Sequence, residues 1–375
     1  MFETYLKRSG SVPLKVQICD PFFNLLESVA PHISRLSSLT VVVHDSVGFG
    51  RLARHLGNPI PTLNEFSIVG VGYGLTIPSD IRNDYFLSVK KLRLVQVSFL
   101  RAPRAFPHVT ELVWIVKPRM FSPVPSLVDT MVELSALERV EIVFEVFYTP
   151  ITPAHLVTLP NVQRMSLHCF EGEIPGFLEF LELPNLTSLV VAGVQRPPQS
   201  SAVLPAIPFG ENLPNFVELP EMEVAMYNQQ RRISFRSASQ ATLDYYLEPS
   251  SLVQLRWGSY HELWGGLPVD SIRRVVMETD TETTYGDGRC IVNLLADLRL
   301  LERLEFRSRC GHTPRYLHKM IKEGLNFSEM QTLTVYFGHE RNAHRVHRLQ
   351  DVADGLSSGI SVTWTKDSEI SDDEQ

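Results

Sequence analysis

The pattern that organises this 375-residue chain is a triplet, apolar-x-x-apolar-x-apolar, recurring along its length. It reads Leu36–Leu39–Val41, Leu63–Phe66–Ile68, Val89–Leu92–Leu94, Val109–Leu112–Trp114 and Leu137–Val140–Ile142. It continues Val162–Met165–Leu167, Leu186–Leu189–Val191, Leu252–Leu255–Trp257, Ile272–Val275–Met277, Leu301–Leu304–Phe306 and Met330–Leu333–Val335. Leu14–Val16 and Val362–Trp364 read as its first and last members. From Leu39 to Leu189, successive middle residues lie 27, 26, 20, 28, 25 and 24 positions apart. A period in the twenties accommodates one strand and one return segment per repeat.

A second pattern fixes the register of the first. Five apolar-Pro-polar-apolar tetrads precede strands: Ile60–Leu63, Phe106–Val109, Leu159–Val162, Leu183–Leu186 and Leu213–Phe216. Proline cannot continue a helix and pushes its predecessor out of the α region, so each tetrad ends a return segment and opens a strand. In the first four, the closing residue is also the first apolar member of the triplet. In the fifth, Phe216 would make Leu219 the middle residue, whereas apolar spacing favours Leu219–Met222–Val224.

Between strands, apolar residues three or four apart predict helical returns. Examples are Phe22, Leu25, Leu26 and Val29; Leu294, Leu295 and Leu298; and Leu317, Met320 and Ile321. Strand and helix in alternation give an α/β fold, a single leucine-rich-repeat-like solenoid over residues 1–365. Its parallel sheet lines the concave face, with helices or irregular segments on the convex face. A Pro/Ser-rich stretch at about 195–212 reads as a loop insertion, "RRISF" (231–235) as part of an extra hairpin, and 366–375 as an acidic disordered tail.

The opening "YLKRSGSVPLKVQI" (5–18) and the run of irregular repeats with "LPNL"-type tetrads resemble the leucine-rich-repeat half of the fungal F-box protein family. The resemblance implies substrate recognition for a cullin-type ubiquitin ligase. The family's F-box, a helical module opening with Leu-Pro, has no counterpart here, since every Leu-Pro pair is internal. The resemblance therefore implies a ligase adaptor only where an F-box stands upstream. Standard repeats also place Asn or Cys three residues after the strand's last apolar position. Here those places hold His44, Val71, Val97, Lys117 and Glu145. The turn amides must then be satisfied by other means.

If the triplets are strands of one parallel sheet, the residues between them face the concave surface. The position before each middle residue reads Glu65, Lys91, Glu111, Arg139, an alternation of sign that favours this register. Three residues after each middle residue the column reads Val42, Val69, Val95, Ile115, Val143, His168 and Ala192. An apolar row on a face that water would otherwise wet implies a protein partner, a covering segment of chain, or β-propensity alone. Val42, Val69, Val95, Ile115, Val143 and His168 are the candidate partner-binding residues. Arg274, Arg303 and Arg307 beside Glu278 and Glu305 form a charged end of the same surface.

Charge and chemical motifs narrow the function. The net charge is −7, and five acidic residues lie among the last nine, leaving −2 for the body. A nearly neutral body gives no footprint for nucleic acid or anionic lipid. The N-terminus lacks the apolar core of a signal peptide, and no stretch approaches 18 apolar residues. Four separated cysteines give no CxxC pair, and the expected location is intracellular, cytoplasmic or nuclear.

"EFSIVGVGYG" (65–74) superficially matches a dinucleotide fingerprint. Its third glycine comes one residue early and Leu75-Thr76-Ile77-Pro78 is no helix start, so it reads as a turn. "ETDTETTYGDG" (278–288) lacks the glycine and the closing glutamate of a calcium loop. No GxSxG or ordered triad supports catalysis. The expectation is a non-enzymatic, cofactor-free protein-binding module. The alternative is an enzyme or metal-binding protein centred on Cys310, His312, His339, His344 and His347, although Arg341, Arg345 and Arg348 would repel a cation there.

Overall fold

The computed structural model describes residues 2–45, 47, 52, 59–71, 75–77, 86–99, 106–116, 124–144, 156–169, 177–193, 212–226, 231–247, 269–279, 295, 298–308, 329–337 and 361–366. The chain divides into two compact units, Met1–Leu186 and Thr187–Gln375.

The first unit contains β1 (Leu14–Cys19), β2 (Leu36–Val43), β3 (Glu65–Gly70), β4 (Leu75–Ile77), β5 (Lys91–Val95), β6 (Val97–Phe99), β7 (Glu111–Val116), β8 (Arg139–Phe144), β9 (Val157–Thr158), β10 (Arg164–Cys169) and β11 (Leu181–Glu182). Strands β1, β2, β3, β5, β7, β8 and β10 lie side by side in chain order, each parallel to the next. This is the parallel-sheet solenoid that the period predicts. The middle residues Leu39, Phe66, Leu92, Leu112, Val140 and Met165 stand opposite one another in a single row, none more than 3% exposed. Each buried side chain of this size contributes about 1.5–3 kcal/mol. In β1 the register slips after Leu14, so Val16 and Ile18 face Leu39 and Val41.

The tetrads form tight turns. The closing residue's N–H donates to the opening carbonyl in Ile60–Leu63 (3.3 Å), Phe86–Val89 (3.1 Å), Phe106–Val109 (3.4 Å) and Leu134–Leu137 (2.9 Å), and again in Leu159–Val162 (3.4 Å) and Leu183–Leu186 (3.2 Å). Proline occupies the second place in four of the six, where its fixed φ suits the turn. Leu87 and Ser135 occupy it in the others, so the turn is more general than the proline that reveals it. All twelve flanking apolar side chains are buried. Phe86 and Phe106, which open two of these turns, stack with Phe66 of β3 at centroid separations of 4.5 and 6.0 Å and with each other at 5.1 Å.

The polar third residue of several turns bonds back to the turn before it. The Thr62 hydroxyl donates to the Leu36 carbonyl (3.1 Å), and Ser88 donates to Leu63 (2.9 Å). Asn161 Nδ2 donates to Ser135 (2.8 Å), and Asn185 Nδ2 to Pro160 (2.7 Å). Where strands begin, one carbonyl accepts two consecutive amides of the next strand. Asn64 serves Lys90 and Lys91, Lys90 serves Thr110 and Glu111, Thr110 serves Glu138 and Arg139, and Glu138 serves Gln163 and Arg164. This ladder lies at the strand starts, the opposite end from the place where standard repeats carry asparagine.

The described return at Phe22–Val29 is less α-helical than its apolar spacing predicts. Phe22 to Val29 covers part of a 3-10 helix (Asp20–Leu25) and the short α2 (Leu26–Val29), after α1 (Phe2–Arg8). Leu26 and Val29 are buried, whereas Phe22 is 58% exposed. The longest described helix is α3 (Val124–Glu133). Four returns contribute short parallel strands that pair two by two, β4 with β6 and β9 with β11. Gly70 closes β3 and Leu75 opens β4, while residues 72–74 of the glycine stretch lie outside the described residues. A Cβ on Gly70 would stand 2.7 Å from the Gln96 carbonyl oxygen, so only glycine fits there. Gln96 itself has φ of 57°, and its N–H donates to Ile115 (2.8 Å).

The second unit contains β12 (Ser188–Gly193), β13 (Glu221–Met226), β14 (Arg231–Arg236), β15 (Thr242–Leu247), β16 (Arg274–Thr279), β17 (Arg303–Ser308), β18 (Thr332–Phe337) and β19 (Ser361–Lys366). Its strand order is β12, β15, β14, β13, β16, β17, β18, β19. Strand β14 runs antiparallel to both neighbours, and all other pairs are parallel. "RRISF" is thus the centre of a three-strand meander whose last strand, β15, the triplet pattern does not register. Met222, Val275, Leu304, Leu333 and Val362 share one row, which settles the fifth tetrad in favour of Leu219–Met222–Val224. The triplet at Leu252, most of the helical patterns at 294–298 and 317–321, and the tail from 367 lie outside the described residues.

Candidate interaction surface

Alternation along each strand sends the middle residue into the core and its flanking residues to the opposite, open face. In the first unit Val42, Val69, Val95, Ile115, Val143 and His168 are successive register partners across six strands, all half-buried. Cys19 extends the row on β1, opposite Val42. The spacing hides Cys19 because β1 skips one residue before Val16.

At about 4.8 Å per strand, the six residues from Val42 to His168 span about 24 Å. His168 ends the row, with Nε2 2.9 Å from the Ser166 hydroxyl on the same strand. Ala192, the seventh residue of the sequence column, belongs to the second unit and stands opposite Tyr246.

The charge column occupies the other end of the same strands. Glu65, Lys91, Glu111 and Arg139 are register partners in that order, and Lys91 Nζ lies 2.5 Å from Glu111 Oε1. The column continues to Arg164 on β10, directly opposite Arg139. Both arginines are exposed, and neither forms an ion pair or side-chain hydrogen bond with a described residue. Arg93, two residues along β5 from Lys91, is likewise exposed and unpaired among the described residues. The nearest carboxylates in register are Glu111, directly opposite Arg139 and paired with Lys91, and the exposed Glu141, opposite Ser166.

The corresponding face of the second unit is polar. The row equivalent to the valines reads Ala192, Tyr246, Arg232, Ala225, Glu278, Arg307, Tyr336 and Thr365. A concavity of about 240 Å³ lies over β13, β14 and β15 and is bordered by Arg274 and Arg307. Its charges are matched internally. Arg274 reaches Glu305 at 2.8 Å and Glu221 at 3.5 Å, Arg307 reaches Glu305 at 3.3 Å, and Arg236 reaches Glu221 at 3.8 Å. Arg232 lies 3.2 Å from Asp244 and 3.9 Å from Glu223, and Ser234 bonds both Arg232 and Asp244.

Burial alone would lower the Arg274 pKa. The hydrogen bond and charge of Glu305, joined by Glu221, overcome that effect and leave the guanidinium more firmly protonated than usual. Beneath this face, burial pushes the Tyr245 phenol well above its ordinary range.

The sequence places Arg274, Glu305 and Arg307 together correctly. It does not reveal their partners Glu221 and Arg236, or the Arg232–Asp244 pair, because antiparallel β14 brings these in out of repeat order. Arg303 stands opposite Arg274, and Glu278 opposite Arg307. Among the described residues no group of three or more His, Cys, Asp or Glu side chains is placed to hold a metal ion. Cys310, His312, His339, His344 and His347, and the acidic loop from Asp280, lie outside the described residues. No helix among the described residues is long and apolar enough to cross a membrane. The chain matches no family model and resembles no curated protein in sequence.

Proposed function

We propose that this chain is a non-catalytic protein-binding repeat module that receives its partner on the open face of the first unit. The observation that carries the reading is the half-buried row from Val42 to His168. Aliphatic side chains in line over about 24 Å lose contact with water only when something packs on them. Half-burial leaves apolar area for a partner to cover. The resemblance of the opening segment and tetrads to fungal F-box repeat proteins supports a more specific role, recognition of substrates for a cullin-type ubiquitin ligase.

Proximity labelling in cells, comparing the wild-type chain with a Val69→Asp/Val95→Asp variant of unchanged melting temperature, tests the reading. A labelled set depleted in the variant supports it, and an identical set overturns it. Stoichiometric zinc in the purified protein, lost on His344→Ala/His347→Ala, would favour the metal-protein alternative.

A further inference from the structure

The two ends of the first unit's strands differ in what they leave unsatisfied. Beside the apolar row the charge column closes on Arg139 and Arg164, like charges directly opposed on neighbouring strands with no described carboxylate paired to either. Such opposition is destabilising in an isolated sheet. The second unit contains the same opposition, Arg274 against Arg303, but there Glu305 and Glu221 neutralise Arg274. In the first unit two described acids lie nearby in register, Glu111, opposite Arg139 but paired with Lys91, and Glu141, and neither forms an ion pair with either arginine.

The backbone groups of this face are committed to the parallel ladder. An occupant laid across the strands must therefore satisfy its own amides and carbonyls, as a helix does. The charge column and the apolar row lie four residues apart along each strand, about 13 Å. That separation matches the breadth of a helix with its side chains, about 10–12 Å.

From these observations we infer that the partner presents an acidic amphipathic helix, its aliphatic stripe on the row around Val95, Ile115 and Val143 and its carboxylates over Arg139 and Arg164. The occupant is a segment of another protein, about 16 residues long from the span of the row. This inference rests on the protein-binding reading and deepens it by naming the partner's chemistry.

The experiment is a selection from a displayed library of 18-residue helical peptides with randomised surface positions, against the purified full-length protein. Selected helices should carry aliphatic residues at helical spacing and an excess of Asp and Glu over Lys and Arg. Their affinity should fall at least tenfold for Arg139→Glu/Arg164→Glu and weaken as salt is raised. An Arg139→Gln/Arg164→Gln variant, which removes the like-charge opposition, should show a smaller loss and keep the wild-type melting temperature or exceed it.

Helices that bind through the valine row but are neutral or basic, or whose affinity ignores both arginine variants, overturn the acidic partner and leave the protein-binding reading standing. A selection in which no helix loses affinity for Val69→Asp/Val95→Asp overturns that reading as well.

Discussion

The open faces of the two units are built on the same strand rhythm, yet they distribute charge and apolar surface in opposite ways. In Met1–Leu186 the row three residues beyond the core position is aliphatic, and the charge column ends in two unpaired arginines. In Thr187–Gln375 the equivalent row is polar, and Arg232, Arg236, Arg274 and Arg307 pair with Glu221, Glu223, Asp244 and Glu305, leaving Arg303 outside these pairs. A repeat scaffold fixes where side chains stand without fixing what they do. A face whose charges are matched internally offers little to a charged ligand, whereas one that leaves like charges opposed beside an apolar stripe is unfinished until a partner arrives.

The comparison can be tested most severely at the cores beneath the two faces. Phe66→Ala removes one ring of a three-ring stack and should destabilise the first unit by about 3–5 kcal/mol, and Leu304→Ala should cost the second about 2–5 kcal/mol. Hydrogen exchange resolved along the chain will show whether each loss of protection stays within its own unit.

Alkali should separate the units next. Burial holds the Tyr245 phenol protonated in the fold well above 10.0, its ordinary value. The stability this confers is fully present below that value and is lost as pH rises through it toward the folded pKa. The second unit should therefore lose stability progressively above pH 10, and Tyr245→Phe should flatten that slope in pH-dependent melts.

Gly70→Ala, which drives a Cβ into the Gln96 carbonyl, should cost about 1–3 kcal/mol, with exchange accelerating first at Gln96 and Val97. Ser88→Ala removes one step of the turn ladder and should cost about 0.5–1.5 kcal/mol in urea melts. The smallest effect has the opposite sign. Arg164→Glu converts a like-charge opposition into an ion pair with Arg139, raising stability by about 0.2–1 kcal/mol at low salt.

Much of this architecture is legible in the sequence because the signals are local and periodic. Leu39, Phe66, Leu92 and Leu112 announce their shared row through spacing alone, and prolines mark four of the first unit's turns. Two turns stay hidden because Leu87 and Ser135 replace the proline without changing the bond that closes the turn. The meander of β13, β14 and β15 is obscure for another reason. Its strands pair out of chain order, so Arg232 and Asp244 meet through topology rather than period.

The helical return at Phe22–Val29 is over-read as α-helix. Spacing of three or four is shared by 3-10 segments such as Asp20–Leu25, and the short pairs β4–β6 and β9–β11 carry too few residues to show a period. The valine row could be written down from the sequence, but Cys19 and the opposition of Arg139 to Arg164 required the register itself.

The shared carbonyls at the strand starts bear on how such a chain can change over time. Because Asn64, Lys90, Thr110 and Glu138 each anchor two amides of the following strand, alignment is set at one point per repeat. Residues gained or lost in a connecting loop need not shift any side chain from one face to the other. Spacings as short as 20 and as long as 28 coexist in one aligned row, so its loops are free to diverge while the surface between them keeps its arrangement.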